Sequence, residues 1–259
     1  MFNDLNVKGL IQLAEKEQIL LPEFQRPFVW DKSQIKLLID SLYNNYTISS
    51  ILVWEGGDEL ARRRVGGSLK EIKYPEGKSG SDVNYLLDGQ QRTTALMLVF
   101  TNKKVYKGTN TKKPEIANLY FDSTYFGDDS EQKFIYGDEC IEGEETELDT
   151  LDEKEIYEKY GSRFIKLKYV YDNDIEKIMK LVNSELFVEI LKKIKILEES
   201  ILNRKVIAVN QSGKLSDVLS VFERINTQNT KLNMFDIMVA KTYKSLGSEG
   251  YFDLRKHAS

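Results

Sequence analysis

The chain has 259 residues, 41% of them apolar, enough to build a substantial core and to exclude disorder as its main state. Its 41 acidic and 37 basic residues leave a formal charge of -4, so the surface as a whole is no polycation for nucleic acid, although a local basic groove stays open. One cysteine, Cys140, excludes an internal disulfide and a cysteine-rich zinc site, and one histidine, His257, leaves no histidine in the body of the chain for a serine-histidine triad or an HNH-type nuclease centre.

No apolar run approaches the roughly 18 residues of a membrane span. The start Met1-Phe2-Asn3-Asp4 lacks the basic and apolar parts of a signal peptide, so the expected location is cytoplasmic, without membrane association.

Residues 6–16 have the spacing of a short helix, and Gln18 to Pro22 reads as extended. Pro22 and Pro27 bracket Glu23-Phe24-Gln25-Arg26 and restrict the backbone on both sides. Two readings stand: the aromatic, amide and cationic side chains form a ligand wall, or Phe24, Phe28 and Trp30 seal the first helix onto a sheet. Asp31 or Ser33 caps a second helix to about Asn44, with Ile35, Leu38, Ile39 and Leu42 on one face. Ile48 to Trp54 has strand composition. Glu59 to Ser81 mixes Arg62-Arg63-Arg64 with glycines and is expected to be an exposed hairpin or mobile loop. A solvated charge run is the favoured reading of its arginines, ahead of contact with a polyphosphate or nucleic-acid backbone.

Val83 to Leu87 reads as a buried strand that delivers Asp88-Gly89-Gln90-Gln91-Arg92, after which Leu96, Val99 and Phe100 recur with helical spacing. A helix that begins just after a core strand presents unpaired backbone N–H groups at a fixed place. Beside them, Asp88 can hold an arginine or a magnesium-bound water, and Gly89 permits the turn. Gln90 and Gln91 offer donors and acceptors, and Arg92 can grip phosphate oxygens in a forked geometry. The competing reading is an Asp88–Arg92 link that fixes the turn to the helix, with the glutamines satisfying nearby carbonyls.

From Val105 to Arg163 the pattern weakens. Short strands are expected at 116–121 and 132–136, and the acidic stretch Glu139 to Glu155 is expected to be a mobile solvated loop rather than a divalent-metal site. Phe164 to Val170 alternates as a strand. Asn173 or Asp174 caps a helix through Val182, a longer helix covers Ser184 to Asn203, and Arg204 to Val209 has strand composition. A helix over 216–225, a break from Asn226 to Thr230 and a last helix from Asn233 complete the pattern. If their segment faces Asp88, Gln25 and Arg26, with Phe28 or Trp30 to stack on a base, offer a second wall; facing away, they do not. Asn226 with Arg224 could close a third wall or serve as a helix cap and a surface salt bridge.

Taken in order, Gln25-Arg26-Pro27-Phe28-Val29-Trp30, the strand Ile48 to Trp54, the segment Asp88 to Leu96, and Phe222-Glu223-Arg224-Ile225-Asn226-Thr227 resemble the N-terminal domain family of GmrSD-type modification-dependent restriction enzymes. The resemblance covers residue 25 to about residue 240. It implies an α/β or α+β fold: a ParB/sulfiredoxin-like mixed-sheet core over 1–105, a strand-containing continuation with the acidic loop over 106–170, and a mainly helical extension over 171–259. It also implies nucleotide-dependent restriction of modified phage DNA; together with the chemistry of the two motifs, the expected cofactors are a nucleoside triphosphate and Mg2+. Asp88, Gln91 and Arg92 would be catalytic, with Asp88 at the metal, and Gln25, Arg26, Trp30, Gly89, Gln90 and Asn226 would bind the nucleotide. Expected partners are modified DNA, a nuclease carried in a further domain or a separate protein, and further copies of the chain in a homo-oligomer. Phe24 stands where relatives often have tyrosine, and Gln228-Asn229 where the turn is often glycine-rich. The alternatives to a nucleotide-hydrolysing module are a noncatalytic DNA-binding or modification-sensing module and a protein-interaction scaffold.

Overall fold

The computed structural model describes residues 4–56, 60–73, 83–101, 103–108, 114–115 and 117–211. In chain order its elements are α1 (Val7–Glu15), β1 (Leu20–Pro22), α2 (Lys32–Tyr43), β2 (Ile51–Gly56), β3 (Arg62–Arg64), β4 (Val83–Asp88), α3 (Gln90–Phe100), β5 (Leu119–Asp122), α4 (Ser130–Lys133) and β6 (Phe134–Tyr136). Then follow α5 (Glu153–Tyr160), β7 (Phe164–Lys166), α6 (Leu167–Asp172), α7 (Ile175–Leu181), α8 (Ser184–Leu197) and β8 (Ala208–Gln211). The architecture is a mixed α/β core with two sheets, followed by a mainly helical region. No helix among the described residues is long and apolar enough to cross a membrane.

Local chemistry sets the first helices. Asn6 caps α1 by accepting the Gly9 N–H, and Asp31 caps α2 in a reciprocal box with Gln34. The first sheet has the order β3-β1-β4-β2-β8. In it β1 runs parallel to β4, β4 antiparallel to β2, and β8 parallel to β2. Its two faces bury different cores. One meets the main apolar cluster, which runs from Leu5 to Val206 and includes Ile51, Val53 and Leu86. The other holds Phe24, Leu52, Trp54, Leu60, Val83, Tyr85 and Leu87, with the Trp54 and Tyr85 rings stacked 5.2 Å apart. Helix α3 is buried nearly all round, packed against α1 and α6, so the turn that starts it is anchored to the core.

The second sheet is an antiparallel β6-β5-β7 ladder. Charged groups join it to α2: the buried Lys133–Asp40 pair at 2.7 Å, and Lys36, itself 3% exposed, with Glu131 and Glu139 at 2.8 and 2.7 Å. The hydrogen bond from Lys36 holds the Glu131 carboxyl below its ordinary 4.5. A carboxyl held low in the folded state stabilises it above the unfolded pKa and loses that contribution as the pH falls through the folded value. Glu131 is half exposed, so Glu131→Gln is expected to cost less than about 1 kcal/mol at pH 7. The difference from wild type should shrink as the pH drops below 4.5, which urea titrations at a series of pH values will follow.

Four sequence expectations change. Phe164 to Val170 is not one strand: β7 stops at Lys166 and α6 begins at Leu167, with Leu167 and Val170 buried one helical turn apart and Lys168 paired to Asp172. The acidic stretch is not wholly a solvated loop. Ile141 and Leu148 are 1% and 0% exposed, Leu148–Thr150 is a 3-10 turn, and Asp152 caps α5 in a box with Glu155. The strand expected from Arg204 begins at Ala208, and before it only a single bridge joins Lys205 to Asn6. The arginine triplet is not a solvated run. It forms β3, paired antiparallel to β1, and Arg63 is 2% exposed. Residues 57–59 and 74–82 of the segment around it, and the helices expected after residue 212, lie outside the described residues.

Candidate functional site

Strand β4 ends at Asp88, and Gly89 turns the chain into α3 with φ of +92°. A Cβ at Gly89 would stand 2.6 Å from Ile51 Cγ2 on the neighbouring strand, so the turn is both left-handed and closely packed. Gly89 supplies no side-chain cap, so the N–H groups of the first helical turn, from Gln90 to Arg92, lack that kind of partner.

The two sequence motifs meet here through side chain and backbone. Gln25 Nε2 donates to the Leu87 carbonyl at 2.5 Å. Gln90 Nε2 donates to the Arg26 carbonyl at 2.6 Å, Gln91 Nε2 donates to the Pro27 carbonyl at 3.0 Å, and the Val29 N–H donates to Gln91 Oε1 at 2.9 Å. All three glutamines are buried. Both polar atoms of Gln91 are thus engaged with backbone, and Gln91 clamps the 25–30 segment. Gln25 and Gln90 also spend amide protons inside the protein, as the competing reading of the motif has it.

The charged groups are disposed otherwise. Asp88 has a side chain 40% exposed and pairs with Arg92 at 3.3 Å. Arg92 Nη2 also donates to the Ser50 carbonyl at 2.8 Å, while Arg92 Nε is buried with no hydrogen-bond partner. Arg26 is exposed, although its backbone carbonyl is held. The aromatic side chains mostly seal: Phe24 lies in the cluster on one face of the first sheet, Phe28 is 2% exposed in the main core, and Trp30 packs half-buried against that core. A base cannot stack on Phe28 there. Asn226 and Arg224 lie outside the described residues.

Arg63 is the residue that the sequence reading placed wrongly. Its Nη2 donates to the carbonyls of Gln25 at 2.7 Å and Arg26 at 3.0 Å, and burial pulls its pKa down to about 10 against the opposing pull of Glu71. A signal was present: Ala61, Arg63 and Val65 alternate with Arg62 and Arg64, and in the structure the first three are the buried ones.

Magnesium binds through one or two carboxylates together with phosphate oxygens and water, so a single half-exposed Asp88 beside an uncapped helix start fits such an ion held jointly with a nucleotide. The unpartnered Arg92 Nε fits a further acceptor at the same turn. The described residues contain no group of three or more His, Cys, Asp or Glu placed to hold a metal by themselves.

An uncharacterized protein of Methanocaldococcus jannaschii is 28% identical over 246 residues, 92% of this chain and 41% of its own length. The chain therefore spans about two fifths of that relative. The profile of the GmrSD restriction endonuclease N-terminal domain matches residues 7–243, and the chain belongs to that family.

Proposed function

We propose that the chain is the nucleoside-triphosphate-binding and hydrolysing module of a restriction system directed at modified DNA. One observation carries the reading: four hydrogen bonds, one to Leu87 at the end of β4 and three to Gln90 and Gln91, join the Gln25–Trp30 segment to the strand and turn that carry Asp88 and Arg92, across 62 to 64 residues of sequence. Buried amides are thereby spent on holding the backbone that carries Arg26 against the turn that carries Asp88 and Arg92, and fixed charge is what phosphoryl chemistry needs. Arg92, steadied by Ser50 and Asp88, and the exposed Arg26 supply cationic donors for phosphate oxygens. The α3 N-terminus adds N–H groups and the positive end of its dipole. Asp88 is the group to hold a magnesium ion or a water in its shell. That ion, when bound, neutralises phosphate charge and lowers the pKa of bound water. Modified DNA and a nuclease are the partners that such a module would serve.

Equilibrium titration of the whole chain with a magnesium nucleoside triphosphate is the direct test. Saturable binding is expected, weakened about tenfold by Arg26→Ala, since a charge-assisted hydrogen bond contributes about 1.5 kcal/mol or more. Absence of binding to every common triphosphate would sink the proposal.

A further inference from the structure

We infer that Arg63 is a positioning residue of this site: by holding the Gln25 and Arg26 carbonyls it aims the Arg26 side chain at the bound phosphates. The inference rests on the nucleotide reading above.

The argument starts from cost. A buried guanidinium is expensive to keep, and among the described residues Arg63 has no carboxylate within ion-pair distance, while its Nε has no hydrogen-bond partner at all. A methionine fills similar space without that penalty. What the guanidinium does supply is a pair of hydrogen bonds from Nη2, one to each of two successive carbonyls. The second, on Arg26, is also the acceptor for Gln90 Nε2 at 2.6 Å. The peptide that follows Arg26 is therefore held by one donor from β3 and one from the start of α3. Both bonds are made to the Arg26 backbone, and its side chain remains exposed.

Position is inherited from the sheet. Arg63 stands opposite Leu21 in the β1–β3 ladder, and β1 runs directly into the Glu23–Arg26 segment. Pro22 and Pro27 bracket that segment, so few backbone torsions are free to absorb a lost contact. Removing the guanidinium releases the Gln25 carbonyl and half of the grip on Arg26, and the error is passed to the end of a long side chain. A misplacement on the order of 1 Å at a phosphate-gripping group is enough to cost a large factor in binding or rate.

The test uses the whole chain as wild type, Arg63→Met, Arg63→Lys, Arg26→Ala and the Arg63→Met/Arg26→Ala pair. Melting temperature, amide hydrogen exchange over residues 23–30, and KM and kcat for phosphate release from a magnesium nucleoside triphosphate are measured. Arg63→Met is expected to melt within about 4 °C of wild type, because relief of a buried guanidinium with no paired carboxylate offsets the cost of leaving the Gln25 carbonyl without its donor. Its exchange over 23–30 should rise about tenfold and its KM about tenfold, with kcat changed less and Arg63→Lys lying between. In the Arg26→Ala background the same substitution should leave KM unchanged. Wild-type exchange in Arg63→Met and Arg63→Lys, or an equal KM loss with and without Arg26, overturns the inference. If the wild type neither binds nor hydrolyses any triphosphate, the nucleotide reading falls and the phosphate role of Arg63 with it. The exchange measurement still reports in that case whether Arg63 holds the segment.

Discussion

Gly89→Ala is expected to lose about 2 to 5 kcal/mol of stability and to melt about 5 to 15 °C below wild type. Two costs add. The φ of +92° lies in the left-handed region, where an alanine costs about 1 to 2 kcal/mol. The new Cβ would also sit 2.6 Å from Ile51 Cγ2 and 3.2 Å from Ile51 Cβ. Ile51 is 1% exposed and branched at Cβ, so it cannot swing away, and overpacking of this kind costs about 1 to 3 kcal/mol. Gly89→Asn separates the two. Asparagine tolerates the left-handed region better but carries the same Cβ, so it should recover only part of the loss in denaturant titration. Full recovery would mean that the contact with Ile51 is relieved by movement of β2, and that the turn is softer than its packing indicates.

The residue pattern admits a meeting of the two motifs without requiring it, and the work done at their meeting is not written in it. Asn6, Asp31 and Gln34 act within four residues of their partners, so their caps can be read from the order of residue types alone. The glutamines act across more than sixty residues. Nothing local distinguishes an amide that holds a ligand from one that holds the carbonyl of a distant proline, and Gln91 proved to do the second. Arg63 was misread for a related reason. Three arginines in a row have the composition of a solvated run, and only the pairing of β3 with β1 puts the middle one under the Gln25–Arg26 backbone. Phe164 to Val170 failed differently, because alternation and one-turn helical spacing coincide in so short a window and the choice falls to packing. In the acidic stretch, two buried side chains, Ile141 and Leu148, are sufficient anchors for a segment with few apolar residues.

Asp88→Asn is expected to leave the fold intact and to slow phosphate release by about 10² to 10³-fold. The substitution keeps the shape of the side chain and removes its charge. Its effect on stability should stay within about 1 kcal/mol, because Asp88 is partly exposed and the pair with Arg92 at 3.3 Å is solvent-screened. Arg92 keeps its second anchor, the Ser50 carbonyl, so the guanidinium does not lose its place when the carboxylate goes. What is lost is the negative charge at the start of α3, where a cation shared with phosphate oxygens would otherwise be held against the positive end of the helix dipole. Nucleotide binding measured without magnesium should therefore be unchanged or slightly tighter in Asp88→Asn, since a repulsive carboxylate has been neutralised. Binding with magnesium should be weaker, and turnover should fall furthest. That opposition in sign separates a metal-holding carboxylate from one that merely ties the turn to the helix, for which both binding constants would move together. Equal phosphate release by wild type and Asp88→Asn, at equal stability, would remove Asp88 from the chemistry and leave the turn as an anion-binding element alone.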